Sequence, residues 1–285
     1  TVEPFAGAIR EGRIYGRGAC DTKGPMAAAV SALGRWVQSP GWAESETEWV
    51  FAATIGEEDR GAGALALCRD GLRADFAIAL EPTDLRVIHG LKGKLRVGIT
   101  VRGRACHAAH AEEGINAIYR AVPVLRVCER LAAEWTVRRH PLLGSAVLNL
   151  GLISGGTGLN IVPDRCEMGL DIRTHPDFTH TDAIRELERE VGREAPGAEC
   201  IVLMAGPPML TESRNPLVRD LAALGAGLGV ESWFSDANTF SAAGIPSVAF
   251  GPGSISQAHT ADEWISIDEL NQGAEILFRF MSGRG

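Results

Sequence analysis

The sequence contains no run of the ~18 to 20 uninterrupted apolar residues that a membrane-spanning helix requires, so no such helix is expected. It also lacks a basic cluster. Lys and Arg total 28 against 36 Asp and Glu, a net charge of −8. Neutralising phosphates needs clustered Lys and Arg, so the chain is a poor candidate for binding nucleic acid. There is no CxxC spacing: six cysteines, at 20, 68, 106, 128, 166 and 200, stand singly. In a chain this long they read as reduced thiols of a cytoplasmic protein, not as a disulfide framework. Internal repeats and low-complexity tracts are absent. The opening Thr1-Val2-Glu3-Pro4 has neither an initiator Met nor a signal-peptide pattern, and reads as a processed start or a fragment. What is present is ordinary for a globular protein, with 45% apolar and 22% charged residues.

Short apolar runs alternate with helical stretches, the order of an α/β protein. Residues 24–37 (GPMAAAVSALGRWV) read as a helix. Residues 48–55 (EWVFAATI) read as a buried strand that ends in the polar turn GEEDRGAG. A short helix over 62–70 and a second buried strand, DFAIALEP at 75–82, follow, so parallel βαβ units are expected. From about residue 90 the character changes. LKGKLRVGITVRGRA, AVLNLGLISGG, CEMGLDIRTHP and ECIVLMA read as strands. INAIYRAVPVLRVCERLAAEW and TDAIRELEREVGRE read as amphipathic helices. Two helices beside a four-stranded antiparallel sheet make a compact α+β unit. After Pro207-Pro208 the first pattern resumes, with Asn215-Pro216 as a helix cap and first turn and Ser266-x-x-Glu269 as a capping box. The expected organisation is a catalytic domain, 1–90 and 207–285, interrupted by an inserted domain at 91–206.

Four places carry a carboxylate or imidazole next to an apolar run. Asp21 lies in GRGACDTKG, between a strand and the 24–37 helix. Glu57 and Glu58 close the 48–55 strand, Glu81 closes the 75–82 strand, and His259 follows PSVAF in GPGSISQAHTADE. In open α/β sheets the carboxyl ends of the strands line the functional crevice. Acidic groups gathered there repel one another unless a cation joins them. An Asp, Glu, Glu, His set suits zinc, cobalt or manganese. Singly, each residue has a plainer reading: a helix cap, a solvated loop, a hydrogen-bonded histidine. Their common placement after strands favours a metal site.

GRGACDTKG, GEED, EPT and GPGSISQAHTADE, in this order, resemble the signatures of the M20 metallopeptidases, from about residue 4 to the C-terminus. That family includes acetylornithine deacetylases, succinyl-diaminopimelate desuccinylases, aminoacylases and glutamate carboxypeptidases. The resemblance implies a zinc-exopeptidase-like catalytic domain that holds two metal ions and an inserted lid that makes a homodimer contact. It implies that Asp21 bridges the metals, Glu58 and His259 bind one and Glu81 the other, with Glu57 as general base. ACHAAHAEEGINAI resembles the lid motif and makes His107 a stabiliser of the tetrahedral oxyanion, contributed by a partner subunit. Cys106 and Ala108-Ala109 depart there from the family's Gly and small hydroxyl residues. Asn160, in a loop from Gly155-Gly156 to Pro163, resembles a substrate contact. Arg173, in LDIR, suits a bidentate grip on a substrate α-carboxylate.

The family also carries a His-x-Asp motif ahead of GRGxxDxKG, whose His completes the Glu81 site. The first His of this sequence is His89. The resemblance therefore implies an incomplete sequence with a deficient Glu81 site and one or two metals. GPGSISQAHTADE and LNLGLISGG point within the family to hydrolysis of an N-acetyl amino acid, N-acetylornithine first. Desuccinylation of succinyl-diaminopimelate, aminoacylase action and carboxypeptidase action are the alternatives. The alternative of another class is an inactive relative that binds a small carboxylate or serves as a dimerisation scaffold.

Overall fold

The computed structural model describes residues 2–59 and 61–283. The chain divides into two compact units. One comprises Thr1–Gly90, Leu210–Glu231 and Ser235–Gly285; the other comprises Leu91–Met209 with Ser232–Phe234.

In the first unit the helices Lys23–Val37 and Ile267–Ser282 pack together over a mixed five-stranded sheet. Its strands run Met209–Leu210, Val87–Leu91, Ser247–Ala249, Ala77–Ala79 in spatial order, with Leu228–Glu231 also paired to Val87–Leu91. Trp36, Val87, Leu221, Val248, Phe250 and Leu277 form its core, each at most 2% exposed. A side chain of this size contributes roughly 1.5–3 kcal/mol when fully buried. Ser247–Ala249 runs parallel to Ala77–Ala79 and antiparallel to Val87–Leu91. The parallel pair sends its two C-terminal ends to one edge of the sheet, and this brings Glu81 beside the loop that leads to His259. A second small sheet orders Ala8–Arg10, Arg13–Tyr15 and Trp264–Ser266.

The expected strand at 48–55 does not form. No ladder is made by this segment among the described residues, and Val50 and Ile55 are 66% and 76% exposed. A strand needs a neighbour to take its N–H and C=O groups, and the sheet ends at Ala77–Ala79. The apolar pattern of a buried strand thus lies open, apart from Trp49, which stacks edge-on against Phe280 at 5.9 Å. The expected 75–82 strand shortens to Ala77–Ala79 for the same lack of an outer neighbour.

The second unit is a four-stranded antiparallel sheet in the order Glu199–Gly206, Gly93–Arg102, Arg165–Thr174, Val147–Gly155. The period of two is explicit: Leu95, Val97, Ile99 and Val101 are buried, as are Cys166, Met168, Leu170 and Ile172 across the ladder. On them pack the helices Ala117–Thr136 and His180–Glu194. The first helix offers Ala117, Ala121, Val124, Cys128, Leu131 and Trp135, spaced alternately four and three apart on one face. Asn116 caps it by accepting from the N–H groups of Ile118 and Tyr119. A reciprocal capping box between Thr179 and Asp182 starts the second.

Candidate metal centre

Asp21, Glu58 and His259 come together in the first unit. One donor atom from each lies within 4.8 Å of the others, the group of this kind found among the described residues. His259 Nε2 stands 3.0 Å from Glu58 Oε1 and 3.5 Å from Asp21 Oδ2. Each side chain is delivered by a loop. Asp21 precedes the helix Lys23–Val37, and its peptide bond to Thr22 is cis. Glu58 lies in the turn that opens the helix Ala62–Arg69. His259 has φ +61, a left-handed conformation that costs a non-glycine residue roughly 1–2 kcal/mol. The loop that carries it begins at Gly251. A Cβ on Gly251 would stand 2.7 Å from the Glu81 carbonyl oxygen, so only glycine lets the two strand ends run this close.

Glu81 is 8% exposed. Burial pushes its carboxyl well above the ordinary carboxylate range, and the charges of Glu57, Asp21, Asp236 and Glu58 push it further. Asp21 is raised by burial first and by Glu58 second, with His259 opposing. The hydrogen bond and charge of Glu58 raise His259, and Asp21 adds to this. Like charges at Glu81, Asp21 and Glu58 make an anion-rich cluster that a divalent cation would relieve. The geometry agrees. Ligand atoms ~2.0–2.2 Å from a zinc ion stand about 3.3–3.6 Å apart in a tetrahedral shell, within a few tenths of an ångström of the distances from His259. The donor set therefore fits a metal, with Asp21, Glu58 and His259 as one shell and Glu81 beside it. A groove of about 480 Å³ elsewhere in this unit, lined by Thr211, Glu212, Arg214 and Ser241 among others, contains none of these residues.

One residue that builds the site escaped the sequence reading. Glu263 is 3% exposed and accepts from the backbone N–H groups of Gly18, Cys20 and Asp21 at 2.8–2.9 Å. Arg17 completes its shell at 3.1 Å. Charge-assisted bonds of this kind fix the Asp21 loop. Its signal was available in the same segment that holds His259, as the last residue of HTADE. Its role was hidden because the loop it binds is some 240 residues away in sequence.

His107, Asn160 and Arg173 lie in the second unit. His107 caps the short 3-10 helix Ala108–Glu113, its Nδ1 accepting from the Ala109 N–H at 3.1 Å. It bridges to Ile161, and the Ala108 N–H donates to the Asn160 carbonyl at 2.9 Å, so His107 and Asn160 belong to one loop cluster. Arg173 does not join them. It is the penultimate residue of Arg165–Thr174, about 26 Å along that strand at ~3.3 Å per residue. Its Nε donates to Asp171 Oδ1 at 2.6 Å, so its guanidinium already has a carboxylate partner.

Comparison with known proteins gives the family of the chain. The model of peptidase family M20/M25/M40 matches residues 1–283. The chain is 29% identical over 276 residues to a peptidase M20 domain-containing protein of Schizosaccharomyces pombe, covering 96% of the chain and 64% of that protein. It is 31% identical over 291 residues to an acetylornithine deacetylase of Myxococcus xanthus, covering 96% of the chain and 74% of the relative. Among solved structures, the M20 family metallo-carboxypeptidase Sso-CP2 of Sulfolobus solfataricus superposes with a TM-score of 0.77 at 18% identity. That match covers 99% of this chain and 80% of the other. The chain thus spans about two thirds of the length of the yeast protein and three quarters of the bacterial one, and it belongs to peptidase family M20/M25/M40.

Proposed function

We propose that this chain carries the hydrolytic centre of a metal-dependent amidohydrolase that cleaves an N-acyl amino acid, N-acetylornithine first. The observation that carries the reading is the convergence of Asp21, Glu58 and His259 next to buried Glu81. The likeness to a protein named acetylornithine deacetylase supports the choice of substrate. Asp21 is assigned to a bridging position, Glu58 and His259 to one ion, and Glu81 to the other. Zinc, with cobalt or manganese as alternatives, would polarise the scissile carbonyl and acidify a water there. Glu57, adjacent in sequence to a ligand, takes the water's proton on its carboxylate and returns it to the departing amine. His107 donates to the oxyanion, Asn160 contacts substrate, and Arg173 grips the α-carboxylate after exchanging its bond to Asp171.

A homodimer through the second unit belongs to this reading. The strand Val147–Gly155 ends its sheet, carries no charged residue over nine positions, and exposes Val147, Leu152 and Ile153 by 43%, 74% and 52%. An uncharged apolar edge is a ready template for a second strand. Six free thiols suit the proposed cytoplasmic setting, and no helix among the described residues is long and apolar enough to cross a membrane.

The test is hydrolysis of N-acetylornithine, with N-succinyl-diaminopimelate alongside, on protein of measured zinc content. Glu57→Gln should retain zinc and lose turnover, whereas Glu58→Ala should lose zinc. Full turnover in Glu57→Gln removes the assigned base. Preference for the succinyl compound transfers the reading to desuccinylation.

A further inference from the structure

The turn that carries Glu57 and Glu58 has to be held from outside, because the segment before it joins no ladder among the described residues. Asp236 stands where it can do this. It is the first residue of the helix Asp236–Ala242, whose start is closed by a capping box between Ser235 and Asn238, both 0% exposed. A carboxylate mounted this way has little freedom. Asp236 is 7% exposed, yet its Oδ1 has no hydrogen-bond partner among the described residues. Its Oδ2 accepts from Thr54 Oγ1 at 2.7 Å, three residues ahead of Glu57. Its Oδ1 lies against the far end of the same turn: a Cβ on Gly61, where φ is +62, would stand 3.4 Å from that oxygen. Gly61 closes the turn by donating its N–H to the Gly56 carbonyl at 2.7 Å, and Gly63 donates to Ile55 at 2.9 Å. The helix Ala62–Arg69 starts directly after Gly61.

We infer that Asp236 is a positioning residue, its carboxylate bonded to Thr54 at the start of the turn and lying against Gly61 at its end, and so setting Glu57 and Glu58 in place. Asp236 itself touches neither substrate nor metal in this assignment. The hydrogen bond to Thr54 is what it must supply, and an asparagine supplies the same acceptor. The inference rests on the hydrolase reading for what the turn does, but not for the anchor itself.

The experiment separates the two. Hydrogen exchange on the metal-free chain, resolved to the peptide spanning 54–63, is compared for the parent, Asp236→Ala, Thr54→Val and Asp236→Asn. Asp236→Ala and Thr54→Val should each raise exchange at Gly61 and Gly63 by about tenfold, while the helix Lys23–Val37 keeps its protection. Asp236→Asn should match the parent. Calorimetric zinc titration of the same proteins should show affinity about tenfold weaker in the first two variants and unchanged in Asp236→Asn. Thr54→Val exchanges only a hydroxyl for a methyl group, so it reports even if Asp236→Ala fails to fold. Parental exchange in Thr54→Val overturns the inference, as does an Asp236→Asn variant as loose as Asp236→Ala. A parent that binds no zinc, with the expected exchange pattern, defeats the hydrolase reading and leaves the anchor standing.

Discussion

Zinc should stabilise the first unit through three side chains, and removing one of them should abolish the effect. The donor atoms of Asp21, Glu58 and His259 already stand within 4.8 Å of one another, so binding requires little rearrangement of the fold. A ligand that binds only the folded state at 100 times its Kd contributes about 2.7 kcal/mol. For a unit of about 160 residues, 1 kcal/mol moves Tm by roughly 2–4 °C, so the expected rise is about 5–11 °C. Differential scanning calorimetry of the chelator-treated chain, with and without zinc, measures it. Glu58→Ala should remove the rise and Glu57→Gln should keep it. The rise should also shrink in acid. A histidine ligand must be neutral, and Glu58 and Asp21 raise the pKa of His259, so protons compete with the metal from a higher pH than for an ordinary histidine. An equal rise in Glu58→Ala, or a rise that grows as pH falls, refutes this reasoning.

Three further outcomes follow. The Glu81 and Asp21 carboxyls are raised in the folded state, so their contribution is complete below their unfolded pKa values and is lost as pH rises through the folded ones. Without metal, the urea midpoint should therefore fall as pH rises from about 4 towards neutrality, and Glu81→Gln should flatten that fall; a parental slope in the variant refutes it. Glu263→Ala removes the acceptor of three backbone N–H groups and should cost about 3 kcal/mol in chemical denaturation, with weaker zinc binding; a loss under 1 kcal/mol assigns the Asp21 loop to other contacts. Ile172→Ala in the second unit, at a 0% exposed position, should cost about 2–5 kcal/mol in a transition of that unit while the zinc-dependent rise persists, and loss of the rise contradicts the separate cores.

Local patterns carried much of the fold. The helices Lys23–Val37, Ala117–Thr136 and His180–Glu194 and the four long strands of the second unit follow from apolar period and caps. Asn215 caps its helix as read, with its side chain accepting from Leu217 and Val218. Ser266 also accepts from Glu269, but Glu269 turns its carboxylate to the Gly253 N–H, so that capping box is half made and the other half braces the loop to His259. The 48–55 segment misled because an apolar run encodes burial, while forming a strand depends on which segment lies beside it. Asp21, Glu58 and His259 were readable as chemistry-bearing residues at loop and strand ends. Glu263 and Asp236 were not, since a carboxylate that holds a distant loop looks in sequence like any surface acid.

The most direct test of the metal centre is diffraction from crystals soaked in zinc, with data taken on both sides of the zinc absorption edge. A single strong anomalous peak within ligand distance of Asp21, Glu58 and His259, or a pair with the second against Glu81, is the expected result. Zinc bound only at other surface groups, with that cluster empty at saturating concentration, would contradict the account.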